Sequence, residues 1–278
     1  MGRHRDVVRA CEWTDFPTAV HEVRGYALHR PVYFLIGMDE RDFQIQSAVE
    51  DTVVVRAPKQ ALATFGTTSV RYYLVSEPTY RGIAELGKSV AQDPDETVVR
   101  EGTVLAERPQ VVTPYYLWRH EGFGDNAPHY LEWLMEQYGK DQPGLLYTYR
   151  NQGMETSIVS GGINEVAARI AERLNREDRR LEAVVQGSDN LWDVSLMKFI
   201  YEFTSDSARS NFEEMSTHGL LQTDRGVPRE AHMRIQRLIE EARRGNVDPS
   251  DVHRELETWD LFDEYQDRFL ALFKGRRR

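Results

Sequence analysis

Leu145-Leu146-Tyr147-Thr148-Tyr149 and Thr156-Ser157-Ile158-Val159 stand on either side of Asn151-Gln152-Gly153. Both runs are rich in β-branched and aromatic residues, so they read as two strands around a polar break. From Ile163 to Asn175 the period changes. Val166, Ile170 and Leu174 share one stripe of a helix there. Leu181 to Val185 returns to strand composition, which makes Pro143 to Gly187 a β-β-α-β unit. This unit is expected to extend or pack against a sheet supplied by the preceding residues.

Those residues contain the strands for it. Segments 31–37, 52–56, 69–75 and 97–105 share the same composition, with turn formers nearby. Between them, Lys59 to Phe65, Thr79 to Leu86 and Asn126 to Tyr138 are read as helices, the last with Tyr130, Leu131, Leu134 and Tyr138 at helical spacing.

From Ser188 onward the strand signal stops. Trp192, Leu196, Phe199, Ile200 and Phe203 form the stripe of a buried helix, and a shorter helix is expected from Ser207 to His218 with Ala208, Phe212 and Met215 inward. Pro228 suits the first position of another helix, whose stripe is Ala231, Ile235, Leu238, Ile239 and Ala242. Asp248-Pro249-Ser250-Asp251 is a start signal combining a capping carboxylate with proline at the first turn. Leu256, Trp259, Phe262, Phe269 and Phe273 then carry apolar spacing toward Lys274. The expected fold is α+β: a mixed sheet with packed helices over residues 1–187, then an all-α region over 188–278.

A length of 278 residues with 40% hydrophobic content is enough for a sizeable core. The net charge is −10, and both parts are acidic: 21 Lys+Arg against 27 Asp+Glu before Gly187, and 14 against 18 after it. That is not the balance of a basic nucleic-acid module. The short run Val32 to Ile36 is far below the roughly 20 apolar residues of a membrane span. The single cysteine, Cys11, agrees with a reducing compartment, so the expected location is cytoplasmic, away from any membrane.

Gly82-Ile-Ala-Glu-Leu-Gly87-Lys88-Ser89 fits the spacing of a phosphate-wrapping loop. Together with Asp39, which ends an apolar run at Leu35-Ile36-Gly37-Met38, it defines a candidate nucleotide site. Its surroundings argue against it. Ser76 to Thr79 turns the chain before Gly82, and Asp93-Pro94-Asp95-Glu96 interrupts it soon after Ser89, so neither the entering strand nor the leaving helix is in place. Ser160-Gly161-Gly162 has the strand-turn-helix setting that the first stretch lacks, and is a second candidate anion loop. His120, Asp125 and His129 gather metal-ligand types in one glycine-rich loop, without a spacing that identifies a metal.

Residues 192–226 resemble a helix-turn-helix unit, with the turn at Ser205-Asp206 and Arg209, Ser210 and Asn211 on the exposed face. Arg229 and Arg237 would add phosphate contacts. Glu213 and Glu214 oppose them, Glu230, Glu240 and Glu241 offset the arginines of the next helix as surface pairs, and Val227-Pro228 leaves no room for a wing strand. The reading that follows is a non-catalytic protein-interaction or regulatory module with a protein partner. A nucleotide-binding hydrolase on the glycine-rich loop and nucleic-acid binding through the helical region stand as alternatives. The sequence decides neither for nor against catalysis, and names no cofactor and no oligomeric state.

Overall fold

The computed structural model of the chain describes residues 7–12, 40–79, 95–113, 116, 132, 136 and 142–274. The fold is α+β. In chain order the elements are β1 (Val7–Glu12), α1 (Glu40–Asp51), β2 (Val53–Arg56), β3 (Thr68–Ser76), β4 (Glu96–Ala106), β5 (Gln110–Val112), β6 (Gly144–Asn151), β7 (Glu155–Ser160), α2 (Ile163–Arg176), β8 (Glu182–Gln186), α3 (Trp192–Thr217), β9 (Thr223–Asp224), β10 (Val227–Pro228), α4 (Arg229–Arg243), α5 (Pro249–Thr258) and α6 (Phe262–Lys274). The chain divides into two compact units. One comprises Met1–Ala10, Asp15–Arg108 and Tyr147–Arg209; the other comprises Cys11–Thr14, Pro109–Leu146 and Ser210–Arg278.

In the first unit β3 is central. It pairs antiparallel with β4 from Thr68 opposite Ala106 to Ser76 opposite Val98, and parallel with β8 on its other side. The strand order is β1-β6-β4-β3-β8-β2, with β7 also on β4. The 145–185 stretch therefore does extend the earlier sheet. However, β6 and β7 are not the arms of a hairpin. Asn151 lies opposite Val104 and Glu155 opposite Glu101, so Gln152, Gly153 and Met154 face only Gly102 and Thr103. They are two lengths of one strand separated by a one-residue bulge, held by the Gln152 N–H donating to Thr103 O at 2.8 Å. Tyr72 crosses over its ladder partner Gly102, where a Cβ would stand 2.6 Å from the ring Cζ, and its hydroxyl donates to Asn151 Oδ1 at 3.2 Å.

The period-2 alternation sends successive side chains of β3 to opposite faces. Tyr73 and Val75, with Val99 and Val184, meet Val166, Ala167, Ile170 and Leu174 of α2, which is the stripe read from the sequence. On the opposite face lies the first half of α3. Thr204 on this helix is hydrogen-bonded to the Tyr149 hydroxyl, and Ser195 accepts from Thr52 Oγ1 at 2.8 Å.

Two expectations fail here, one because distant groups claim the backbone and one because local hydrogen bonds keep a helix unbroken. Lys59 to Phe65 is not helical. Its N–H groups are claimed from elsewhere, Lys59 by Arg180 O at 2.8 Å, Leu62 by Ser207 Oγ at 3.1 Å and Ala63 by Thr68 Oγ1 at 2.8 Å. Nor is there a turn at Ser205-Asp206, because α3 runs unbroken for 26 residues. The hydroxyls of Thr204 and Ser207 bond back to Ile200 O and Phe203 O at 2.6 and 2.7 Å, so both polar groups are satisfied without leaving the helix.

The second unit is built on α4, α5 and α6. Ala231, Ile235, Ile239 and Ala242 of α4 pack with Val252 and Leu256 of α5, Trp259, and Tyr265, Phe269 and Leu272 of α6. Asp248 caps α5, its carboxylate accepting from Ser250 N at 2.8 Å with Pro249 at the first helical position, as expected. The aromatic run after Leu256 is not one helix: Asp260 adopts φ 57° between α5 and α6. β9 and β10 form a two-residue antiparallel ladder closed by Arg225-Gly226, so Val227-Pro228 does supply a returning strand and α4 starts only at Arg229.

Candidate functional site

In open sheets, ligands gather beyond the carboxyl ends of parallel strands. The parallel pair here is β3 and β8, and what lies beyond its carboxyl end is a compact polar cluster. Asp189 follows β8 and pairs with Arg100 of β4 at 2.7 Å, with 13% of the arginine and 16% of the aspartate side chain exposed. Ser76, the last residue of β3, donates to Asp189 Oδ1 at 3.2 Å and accepts from Arg100 Nη1 at 3.1 Å. Thr79 completes it. Its N–H and hydroxyl reach Asp189 Oδ2 at 3.1 and 2.6 Å, and the hydroxyl lies 2.9 Å from Asn190 Oδ1.

The loop geometry depends on close packing. A Cβ on Gly187 would stand 2.6 Å from Ser195 Cβ, so only glycine lets β8 end against α3. Ser195 Oγ then accepts the Ser188 N–H at 3.2 Å, and Ser188 Oγ accepts from Leu191 N at 3.3 Å. Burial pushes the Asp189 carboxyl up, but hydrogen bonds from Thr79 and Arg100 and the guanidinium charge outweigh it. The net result lies below the usual carboxylate range. Asp189 is thus an anion with donors on both oxygens, and it already occupies the cation an incoming phosphate would use.

Ser160-Gly161-Gly162 does lead from β7 into α2, with Gly161 at φ 121°. Carboxylates surround it: Asp95 Oδ2 would stand 3.7 Å from a Cβ on Gly162, and Glu165 Oε2 would stand 3.4 Å from one on Gly161. The Gly161 N–H donates to Asp95 O at 2.5 Å and its carbonyl accepts from Thr97 Oγ1 at 2.7 Å. Negative charge at this helix start is favourable for the dipole but repels a second anion.

The second unit holds a more deeply buried charge cluster. Glu230 is 0% exposed and accepts from Arg234 Nη1 at 2.8 Å and Arg237 Nη2 at 3.3 Å. Glu255 Oε1 accepts from Arg234 Nε at 3.0 Å, Arg234 Nη2 at 2.5 Å and Trp259 Nε1 at 2.8 Å. Burial works against the Arg234 charge, yet Glu230 and Glu255 outweigh it and raise the guanidinium above its ordinary value. Glu230 is therefore a core residue, where the sequence suggested a surface pair.

Of the nucleic-acid candidates, Arg209 is exposed on α3 and Arg229 is exposed at the start of α4. Arg237 is half exposed and directed to Glu230. Asn211 is only 1% exposed, which removes it from the outer face assigned to it. Arg243 and Arg244 pair with Glu240 and Glu241 at 2.6 and 3.0 Å. Gly82, Gly87, Lys88, Ser89, Asp39, His120, Asp125 and His129 lie outside the described residues. Among the described residues no three His, Cys, Asp or Glu side chains are grouped to hold a metal, and no helix is long and apolar enough to cross a membrane.

Sequence reasoning missed Ser76, Arg100, Asp189 and Asn190. The signal was available in part, since Gly187-Ser188-Asp189-Asn190 directly follows a strand run, the same placement that drew attention to Asp39. Comparison with known proteins finds no matching family model, no similar curated protein and no similar solved structure.

Proposed function

We propose that the protein is a non-catalytic, cytoplasmic module that acts by binding a protein partner. The observation carrying this reading is a contrast within the first unit. The polar side chains at the carboxyl end of the parallel strands bond to one another, whereas α3 presents Met197 and Tyr201, one turn apart, 38% and 62% exposed. A tyrosine with that much apolar ring in water is the residue type that anchors protein interfaces. A regulatory role would follow from such binding.

One observation favours a second reading, the nucleotide-binding hydrolase using Gly82, Gly87, Lys88 and Ser89. Thr79, three residues before Gly82, is fixed by Asp189 and Asn190 at the carboxyl end of β3, where nucleotide loops begin. Nucleic-acid binding draws less support, because Asn211 is buried and the exposed arginines of α4 are largely matched by glutamates.

The test is site-specific photo-crosslinking in the source organism. A photoreactive residue replacing Tyr201 is expected to give a discrete protein adduct, lost when Met197→Asp is added, while the same residue replacing the exposed Glu172 of α2 gives none. No adduct from Tyr201, or equal adducts from both positions, contradicts the proposal.

A further inference from the structure

The helices of the second unit treat their outer charges differently. On α4 and α5 opposite signs are interleaved and pair within the helix: Arg243 with Glu240 at 2.6 Å, Arg244 with Glu241 at 3.0 Å and Arg254 with Asp251 at 3.1 Å. On α6 the signs are separated along the chain. Asp263, Glu264 and Asp267 stand in its first half with no cation among them, and Arg268, Lys274, Arg276, Arg277 and Arg278 follow with no acidic residue among them. Among the described residues neither Asp263 nor Asp267 forms an ion pair.

The register of α6 puts this separation on one ridge. Tyr265, Phe269 and Leu272 belong to the core, and at about 100° per residue the opposite side runs through positions 263, 267, 270, 271 and 274. Asp263, Asp267 and Ala271 are exposed there, and Leu270 is 44% exposed between them. The ridge therefore reads acidic, acidic, apolar, basic. The helix dipole favours carboxylates in the first turn and cations in the last, but its effect fades within one turn. It does not account for Asp267, which lies beyond the first turn.

We propose that two copies of the chain pair through α6, antiparallel across a twofold axis between Leu270 and Ala271. Reversing the helix brings each half against its opposite in charge. Position 267 then faces position 274 of the second copy, so an aspartate meets a lysine at both ends of the contact. Leu270 meets Ala271, a side chain small enough for two helices to approach closely. Asp263 and Glu264 come to the end of the second helix, from which Arg276, Arg277 and Arg278 continue in sequence. No acidic position on the ridge faces another. The contact is isologous and closes at two copies. One helix face is a small interface held largely by charge, so the dimer belongs to high concentration and low ionic strength. This surface lies in the second unit and is independent of the Tyr201 reading.

Sedimentation velocity over a concentration series at low ionic strength tests this on the full chain. The wild type is expected to shift from the 32.3 kDa chain mass to twice that value as concentration rises, and to return when salt is added. Asp267→Lys sets lysine against lysine at both ends and is expected to abolish the dimer with the melting temperature retained. Lys274→Asp does the same with aspartates. Mixing these two variants is expected to restore a dimer, because each offers the charge the other lacks. Leu270→Asp, which brings two carboxylates to the axis, gives the same loss of dimer if either charge variant fails to fold. A wild type that stays monomeric throughout, including one whose ridge instead binds an anionic vesicle or an acidic peptide, overturns the proposal. So does a dimer indifferent to Asp267→Lys or Leu270→Asp, or a mixture that stays monomeric.

Discussion

Arg100 and Arg234 are both arginines with little exposed side chain, yet their partners differ in origin. Arg234 sits on α4, one carboxylate comes from its own helix at Glu230, and the other comes from α5 at Glu255. Its contacts tie helix to helix and end on Trp259, a core residue that is 1% exposed. Arg100 instead holds a loop. Its partner Asp189 follows β8 and is shared with two hydroxyls, at the end of a parallel strand pair. The lesson is that burial of a charge does not by itself mark a functional site. A pair that locks two helices serves the core. A pair that locks a loop beyond the carboxyl ends of parallel strands holds that loop with internal contacts.

The largest expected effect breaks the helix lock. Arg234→Ala leaves Glu230 and Glu255 without their shared cation inside the second unit and is expected to cost about 3–5 kcal/mol in chemical denaturation. A loss near that of a surface pair would mean water replaces the arginine and the core does not depend on it. Asp189→Asn is expected to cost less, about 1.5–3 kcal/mol, because hydroxyl partners remain and only the charge-assisted bonds are lost. The sign with pH follows from the depressed carboxyl. The folded state binds the proton more weakly than the unfolded chain, so the Asp189 contribution is complete above the ordinary carboxylate value. It is lost as pH falls through that value and on through the lower folded one. In a pH series the difference between wild type and Asp189→Asn should shrink in acid; a constant difference would show that the charge is not the cause.

Gly187→Ala sharpens the comparison from the backbone side. The added methyl meets Ser195 Cβ, and a cost of about 1–3 kcal/mol is expected, partly recovered by adding Ser195→Gly. Full stability of the single variant would show that the loop carrying Asp189 is not held by this contact. The smallest effect is expected from Arg243→Ala on the outer side of α4, under about 0.5 kcal/mol, since both it and Glu240 are near half exposed.

Apolar periodicity carried most of the fold. The stripe Val166, Ile170, Leu174 was legible because one side of α2 is buried, and the runs that became β3, β4, β6, β7 and β8 because β-branched and aromatic residues fill them. The errors lie where a polar group finds a partner that local composition does not announce. Thr204 and Ser207 bond back within α3, so a polar stretch that resembled a turn stays helical. Leu62 and Ala63 give their N–H groups to Ser207 and Thr68, so good helix formers stay irregular. The bulge at Gln152 to Met154 depends on the register with β4, which no local pattern contains. Asp189 was placed after a strand run in plain view, but its pairing with Arg100 and Ser76 was not legible, since these come from β4 and β3 and only the pairing of those strands with β8 brings them together.

The claim that the buried polar clusters are internal locks, and that the protein works through its surface, is tested most directly by the melting temperature with Mg²⁺ and a panel of nucleotides at millimolar concentration. The expected result is no change with any of them. A melting temperature that climbs with nucleotide concentration, as mass action requires of a ligand bound to the folded state, would contradict it and place the glycine-rich stretch after Thr79 at the centre of the protein's chemistry.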